Sequence, residues 1–331
     1  MKNKWKKFAI IVFSSALILA ACGGDKEKEE SSSTATGDEK TYKIGITQIV
    51  EHPSLNAATD GFKKALEDAG LKVEYDTQIA QGDNSVNTTI AENLVGANVD
   101  LVFANSTPSA QAAASKTTDI PIVFTSVTDA VGAELVKSNE SPGGNITGTI
   151  DAHPDAIPNT MKFLKEELGA KNVGMVFNAG EQNSVAQVNA VKEMLKDMDM
   201  TVVEAAVATS ADVKQATESL IGKVDSLYII TDNTVVSALE SVIDVANANK
   251  LPMMVGEFDS VKRGGLAAYG FEYFDIGYEA GEMAVKILKD GKKPADISVQ
   301  VPQKLLFVMN KDTATTIDLE IKDEWNADLI E

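Results

Sequence analysis

The sequence predicts an α/β protein with two similar lobes, each built on a parallel sheet and hinged around a central cleft. Three observations support this fold class. Short apolar runs typical of buried strands alternate with runs of helical periodicity, the alternation occurs twice in the same order, and polar residues follow the strands. Strands that alternate with helices form parallel sheets, and such sheets bind ligands at the carboxyl ends of their strands.

The first 21 residues have the features of a secretion signal. Four lysines precede an apolar run over residues 8–20, which is too short to span a membrane as a stable helix. The run ends in LAAC at residues 19–22, which resembles the lipobox of bacterial lipoproteins and implies that Cys22 carries a lipid. An ordinary signal peptide with an incidental cysteine is the alternative. Residues 22–41 lack apolar periodicity and are predicted to form a disordered tether.

Composition narrows the class of protein further. The net charge is −19, or −23 without the four leader lysines, so we expect no binding to nucleic acid or to anionic lipid headgroups. Cys22 is the only cysteine, which excludes disulfides and cysteine-based zinc or redox sites elsewhere in the chain. About 290 residues follow the tether, which fits two lobes better than one compact core. We expect this part to be a folded monomer.

Each lobe is predicted from one copy of a repeated plan. In the first copy a strand at residues 42–47 leads through a polar loop into an amphipathic helix that ends near Ala69; the second copy has its matching strand at residues 172–177. A further strand and helix follow in each copy, at residues 72–75 and 85–96 and at residues 201–207 and 211–222. The repeat therefore predicts two similar, Rossmann-like lobes.

The next two strands of each copy end in polar tips. Strand-like runs at residues 99–104 and 120–124 in the first copy match runs at residues 224–230 and 251–255 in the second. After the first of these, Ser106 and Thr107 stand before a proline. This pattern predicts a helix start, because a side-chain oxygen caps free N–H groups and proline suits the first helical turn.

The chain is expected to cross between the lobes twice. The sequence SPGGNITG at residues 141–148 has the glycines and asparagine of tight turns and is predicted to be the first crossing and a hinge. Residues 270–275 are predicted to be the return. One lobe then comprises residues 42–149 and 271–298, and the other comprises residues 150–270 and 299–331.

The sequence shows no catalytic machinery. His52 and His153, the only histidines, each stand beside a proline, and no metal-binding histidine pair, nucleophile elbow or phosphate-binding glycine loop is present. We therefore expect a binding protein and not an enzyme, with no metal and no cofactor.

The predicted site consists of side chains on and beside the polar tips. They are Gln48, Ser54, Asn105, Ser106, Thr107, Thr125, Ser126, Thr128, Asp129, Asn178, Asn183, Ser184, Asp232, Asn233, Glu257 and Asp259. Hydroxyls at helix N-termini suit a carboxylate and acids opposite them suit an ammonium group, so the combination favours a zwitterion. Helix capping accounts equally well for any single member such as Ser106, Thr107 or Asp232.

These features together resemble the extracytoplasmic substrate-binding lipoproteins of ABC importers, in the branch for tryptophan and tyrosine. The resemblance rests on the lipobox, the paired lobes, PGGNITG at residues 142–148 and TDNT at residues 231–234. It implies a type I periplasmic-binding-protein fold, an amino acid closed between the lobes, and an ABC transporter permease as partner. In related amino-acid binders, first-lobe hydroxyls hold the α-carboxylate and a second-lobe acid holds the amine. The first role carries over to Ser106, Thr107, Thr125, Ser126 and Thr128, and the second to Asp232, Glu257 or Asp259.

Other functions stay open at this point. The same fold binds sugars or nucleosides in other proteins, although sugar sites usually stack the ring on tryptophan and Trp325, in the C-terminal tail, is the only tryptophan after the leader. A sensory protein for a kinase or chemoreceptor is a second alternative, and an enzyme is a third. The leading expectation is a lipid-anchored receptor on the extracytoplasmic face of the cell membrane of a Gram-positive bacterium, which binds tyrosine or tryptophan.

Overall fold

Two sheets organise the chain. The computed structural model describes residues 40–331 and contains a five-stranded sheet in one lobe and a seven-stranded sheet in the other. The predicted signal peptide, Cys22 and the tether up to residue 39 lie outside the described residues. Thr41, the last residue of the predicted tether, is already the first residue of a strand.

The first lobe is built from the N-terminal part of the chain. Its elements are β1 (Thr41–Gln48), α1 (Pro53–Asp68), β2 (Lys72–Ile79), α2 (Asn84–Gly96), β3 (Leu101–Asn105), α3 (Thr107–Ala114), β4 (Ile122–Val127) and β5 (Ile146–Ile150). The strand order is β2-β1-β3-β4-β5, and all neighbouring strands are parallel. The predicted helix start at Ser106 is confirmed, because its side chain caps α3.

The second lobe repeats this plan and extends it. Its elements are α4 (Ala156–Glu166), β6 (Asn172–Asn178), α5 (Gln182–Leu195), β7 (Thr201–Val207), α6 (Val213–Glu218), β8 (Ser226–Ile229), α7 (Asn233–Val236), α8 (Leu239–Ala248), β9 (Met253–Val255), α9 (Phe258–Arg263), β10 (Ala267–Gly270), and, after the return described below, β11 (Leu306–Asn310), α11 (Lys311–Thr316) and β12 (Asp328–Ile330). The strand order is β12-β11-β10-β9-β8-β6-β7. Its segment β7-β6-β8-β9-β10 reproduces the order of the first sheet, which confirms the predicted pair of similar lobes. Only β10 and β11 are antiparallel neighbours among the described strands.

The strands are apolar because helices cover both faces of each sheet. Every residue of β3 and β4 is buried, as expected for parallel strands that lie between two helical layers. On one face of the first sheet, Phe62 of α1 stacks on Phe103 of β3 with ring centroids 3.9 Å apart. This packing fixes α1 against the sheet and so fixes the loop that precedes it.

After β10 the chain returns to the first lobe as α10 (Tyr273–Leu288), which packs along α1. The two helices approach closely because glycines lie between them. A Cβ atom on Gly277 would be 1.9 Å from the carbonyl oxygen of Ala58, and one on Gly61 would be 2.2 Å from that of Phe274. The chain then stays on the first lobe as far as Gln300, which bridges to Thr149 of β5.

The predicted first crossing is partly wrong. Residues 146–148 of the SPGGNITG sequence belong to β5, a fully buried strand at the edge of the first sheet. The chain leaves the first lobe only after Ile150, through Asp151. The glycines and asparagine of the sequence form the turn that leads into β5, and Asn145 donates from its side chain to the carbonyl oxygen of Ile120.

Among the described residues, no helix is long and apolar enough to cross a membrane.

Candidate functional site

A small cavity lies between the lobes, at the carboxyl ends of the strands. The ends of parallel strands meet there because both sheets point their carboxyl edges at the cleft. The residues that line the cavity are His52, Ser54, Leu55, Ser126, Asp151, Asn183, Thr231, Asn233, Val236, Glu257 and Tyr273. Both lobes and both crossings therefore contribute to one chamber.

Ser126 forms the first-lobe wall. It lies in the polar tip of β4, at a break in the register with β5, and its φ of +55° is in the left-handed region. Non-glycine residues held there cost about 1–3 kcal/mol and cluster at functional sites. The hydroxyl is buried and has no hydrogen-bond partner among the described residues. The left-handed backbone of Ser126 thus places an unpaired hydroxyl donor at the cavity.

The start of α1 contacts the second lobe. His52 caps this helix by accepting a hydrogen bond at Nδ1 from the backbone N–H of Ser54, at 3.3 Å. Its Nε2 lies 3.0 Å from Nη1 of Arg263, which also forms a two-pronged ion pair with Glu240. Burial, more than any nearby charge, lowers the pKa of His52. The ring of His52 thus lies between the start of α1 and Arg263 of the second lobe, at the rim of the cavity.

Ser54 makes the second contact between the lobes. Its Oγ lies 2.6 Å from Oε2 of Glu257 and 2.8 Å from Oδ2 of Asp259. Glu257 caps α9, because its carboxylate accepts the backbone N–H groups of Asp259 and Ser260 at 2.6 and 2.8 Å. Asp259 pairs with Lys262 on the surface, at 3.0 Å. One hydroxyl from the first lobe thus meets two carboxylates of the second.

Asp151 lies on the first crossing, one residue after β5, and sequence analysis missed it. Thr128 donates its hydroxyl to Oδ1 and Tyr273 donates its phenol to Oδ2, each at 2.9 Å. Burial raises the pKa of Asp151 above its ordinary value. The signal that points to it is position: it ends a strand as the other polar tips do, but the sequence interpretation placed a turn where β5 runs.

Asp232 is buried behind the cavity and does not line it. Its Oδ2 accepts the backbone N–H of Asn178 at 2.6 Å, and its Oδ1 accepts that of Val235 at 2.8 Å, which caps α7. Burial, followed by the charge of Glu181, raises the pKa of Asp232 to about 7. Its geometry is that of a structural carboxyl group that links β6 to α7.

Glu181 is a further buried acid that sequence analysis missed. Its carboxylate accepts hydrogen bonds from the backbone and the side chain of both Asn233 and Thr234, over 2.6–3.1 Å. The N-terminus of α7 is therefore already occupied by a carboxylate of the chain itself. It offers no free donors to a ligand.

Five of the predicted site residues line the cavity: Ser54, Ser126, Asn183, Asn233 and Glu257. Asn183 anchors its amide N–H to the carbonyl oxygen of Thr231 at 3.0 Å and keeps a buried Oδ1 without a partner among the described residues. Thr128 and Asp259 lie one contact behind the cavity wall, on Asp151 and Ser54.

The other predicted residues hold the strand ends together. Gln48 accepts the side-chain N–H of Asn105 at 3.2 Å, Thr125 pairs with Thr149 at 2.8 Å, and Asp129 accepts the backbone N–H of Gly132. Ser106 caps α3 and Asn178 bonds to Thr234, while Ser184 hydrogen-bonds to Asp232. Thr107 is buried beside them, and its hydroxyl has no partner in residues 40–331.

No cluster of metal-ligating side chains is present within the described range. The cavity instead combines acidic oxygens, a free hydroxyl and an apolar surface from Leu55, Val236 and the ring of Tyr273. Two α/β lobes with such a chamber between them define a receptor that encloses a small ligand.

Comparison with known proteins identifies the family. The family model described as ABC transporter substrate binding protein matches residues 43–328, and the chain belongs to this family. It is 42% identical over 326 residues to the tyrosine-binding protein of Clostridioides difficile (strain R20291), a match that covers 96% of this chain and 94% of that protein. Members of the family are substrate-binding receptors of ABC transporters and act on the extracytoplasmic side.

Two solved structures are also similar to this one. A domain from Streptococcus pneumonia in complex with L-Trp is 32% identical, with a TM-score of 0.83 over 88% of this chain and 100% of that one. The ligand-free, open structure of a substrate binding protein with adhesive properties from Clostridium difficile is 41% identical, with a TM-score of 0.67 over 88% and 99%. The L-Trp complex superposes better than the open structure despite its lower identity. In the present structure the contacts of Ser54 and His52 join the two lobes, and we call this arrangement closed.

Proposed function

We propose that this protein is the receptor of an ABC importer for an aromatic amino acid, tyrosine or tryptophan. The observation that carries the proposal is the pairing of groups in the interlobe cavity. Ser126 offers a free hydroxyl donor, while Asp151, Glu257 and the Oδ1 of Asn183 offer acceptors. Donors suit a carboxylate and acidic acceptors suit an ammonium group, so the chamber is complementary to a zwitterion.

The lining of the cavity supports a small ligand that carries an apolar side chain. Leu55, Val236 and Tyr273 supply an apolar surface for a side chain. Two relatives support the aromatic class, since one is named a tyrosine-binding protein and another was solved with L-Trp.

The proposal includes a lipid anchor on Cys22 and a monomeric receptor that docks on an importer permease. The sequence LAAC at residues 19–22 supports the anchor, and the charge of −23 after the leader argues against attachment through basic residues. The family supports a transporter as the partner.

Calorimetric titration of the purified protein with the twenty amino acids, a panel of sugars and a panel of nucleosides tests the ligand class. We expect saturable binding of L-tyrosine or L-tryptophan and none of the sugars. Binding of a sugar or nucleoside without any amino acid would overturn the proposal.

A further inference from the structure

The acids around the cavity differ in how their charge is compensated. Glu257 accepts two backbone N–H groups at the start of α9, and Asp259 has the ammonium of Lys262. Asp232 accepts two backbone N–H groups and does not face the cavity. Each of these three carboxylates is therefore stabilised by a helix terminus, by backbone donors or by a cation of the chain itself.

Asp151 is the exception. Its partners on other residues are two neutral hydroxyls, those of Thr128 and Tyr273, and no lysine, arginine or histidine in residues 40–331 forms an ion pair with it. It nevertheless lines the cavity, where burial raises its pKa. A carboxylate that is partly shielded from water and has no cation beside it is costly, and a positive charge is the partner that would offset this cost.

The two hydroxyls orient the carboxyl group. Thr128 follows β4 and Tyr273 opens α10, so they hold Asp151 from the first lobe and from the return crossing. Each carboxylate oxygen keeps lone pairs for one more donor after these bonds. The bond between Asp151 and Tyr273 also ties the two crossings together at the hinge.

We propose that Asp151 is the group that binds the ligand's ammonium, and that Thr128 and Tyr273 are positioning residues for it. The inference rests on the proposed function and departs from the expectation that an acid of the second lobe holds the amine. It places the charged end of the ligand against the hinge, where both crossings meet.

The test combines the substitution Asp151→Asn with removal of the amine from the ligand. Binding of L-tyrosine and L-tryptophan is compared with binding of 3-(4-hydroxyphenyl)propionate and indole-3-propionate, which lack the amine, in wild type and in Asp151→Asn. We expect the variant to bind the amino acid about 100-fold more weakly, as for the loss of a strong charged hydrogen bond. The deaminated ligands are expected to bind both proteins within about threefold of each other, because no ammonium is there to lose its partner.

Asp155→Asn is the matched control. It makes the same charge change four residues further along the crossing, where Asp155 is exposed and makes no side-chain cap bond. We expect wild-type affinity for every ligand. Tyr273→Phe removes only the phenol oxygen. We expect it to weaken binding of the amino acid several-fold and to leave binding of the deaminated analogue unchanged. It replaces Asp151→Asn as the test if that variant does not fold.

Two results would overturn the inference, and they are distinguishable. If Asp151→Asn weakens binding of the amino acid and of the deaminated ligand equally, Asp151 is a structural residue and the proposed function stands. If wild type binds no amino acid but does bind a sugar or nucleoside, the proposed function fails first and this inference fails with it.

Discussion

The substitution Asp232→Asn tests whether Asp232 stabilises the fold or binds the ligand. In wild type, the two carboxylate oxygens accept the backbone N–H groups of Asn178 and Val235. Asparagine keeps one oxygen acceptor, which continues to cap α7. Its NH₂ group then faces the N–H of Asn178, so one buried donor loses its partner. Such a loss costs about 1–3 kcal/mol of folding free energy.

The substitution also removes a charge that is costly at neutral pH. The pKa of Asp232 is raised from 3.8 to about 7, mainly by burial and then by the charge of Glu181. Between these values the folded state holds a proton that the unfolded state has released, so wild-type stability falls as pH rises from about 4 to about 7. At about 1.4 kcal/mol per pH unit, the loss across this window is on the order of 4 kcal/mol.

The lost hydrogen bond of Asn178 destabilises the variant, whereas removal of the buried charge stabilises it, and the second effect grows as pH rises. Asp232→Asn is expected to be less stable than wild type at pH 5 and as stable or more stable at pH 8. Melting temperatures measured by circular dichroism every half pH unit give the comparison, with about 2–4 °C expected per kcal/mol. We expect the affinity for L-tyrosine to stay within about threefold, because Asp232 does not line the cavity. The reasoning is refuted if the stability difference is constant from pH 5 to pH 8, or if affinity falls 100-fold.

Three further predictions concern packing, closure and anchoring. Gly277→Ala places a methyl group 1.9 Å from a backbone carbonyl oxygen and should destabilise the protein by about 3 kcal/mol or more. Gly144→Ala is the control, because nothing lies within 4 Å of a Cβ atom there, and we expect its stability to match wild type. Equal melting temperatures for the two variants would contradict the prediction. Ser54→Ala removes the hydroxyl that joins α1 to Glu257 and should weaken ligand binding about tenfold by calorimetry, with little change in melting temperature; unchanged affinity would count against a role in closure. Cys22→Ala should release the protein to the medium with ligand binding intact, and its retention in the membrane fraction would show that the lipobox interpretation is wrong.

The repeated plan was predictable because hydrophobic periodicity and strand-end polarity are local properties. Five strands have the same order in both lobes, and the matching runs at residues 99–104 and 224–230 are an equivalent pair among them. The strand β5 was not recognised, because its sequence, ITGTI, follows a glycine-rich turn and contains a glycine of its own. Gly148 is required there since a Cβ atom would lie 2.1 Å from the carbonyl oxygen of Phe124.

The site was predictable as a region but not residue by residue. A serine, asparagine or aspartate after a strand either caps the next helix or faces the cleft, and the same chemistry serves both roles. Ser126 and Asp232 illustrate the two outcomes: one faces the cavity with a free hydroxyl, and the other is enclosed by backbone donors. Only the direction of the side chain distinguishes them, and that depends on long-range packing that no local pattern encodes.

Closure of the lobes concentrates negative charge, and this favours a ligand that carries an amine. Ser54 has one proton to donate, yet closure places the carboxylates of both Glu257 and Asp259 within 2.8 Å of its oxygen. Asp151 lines the same cavity as Glu257 and has no cation of its own. Charges held close together in a partly dry cavity repel each other strongly, so closing the cleft has an electrostatic cost. An ammonium group offsets that cost only in the closed state, and a ligand shifts an equilibrium by its difference in affinity for the two states. A neutral sugar offers no such difference in affinity, so we expect the closed cavity to favour ligands that carry an amine.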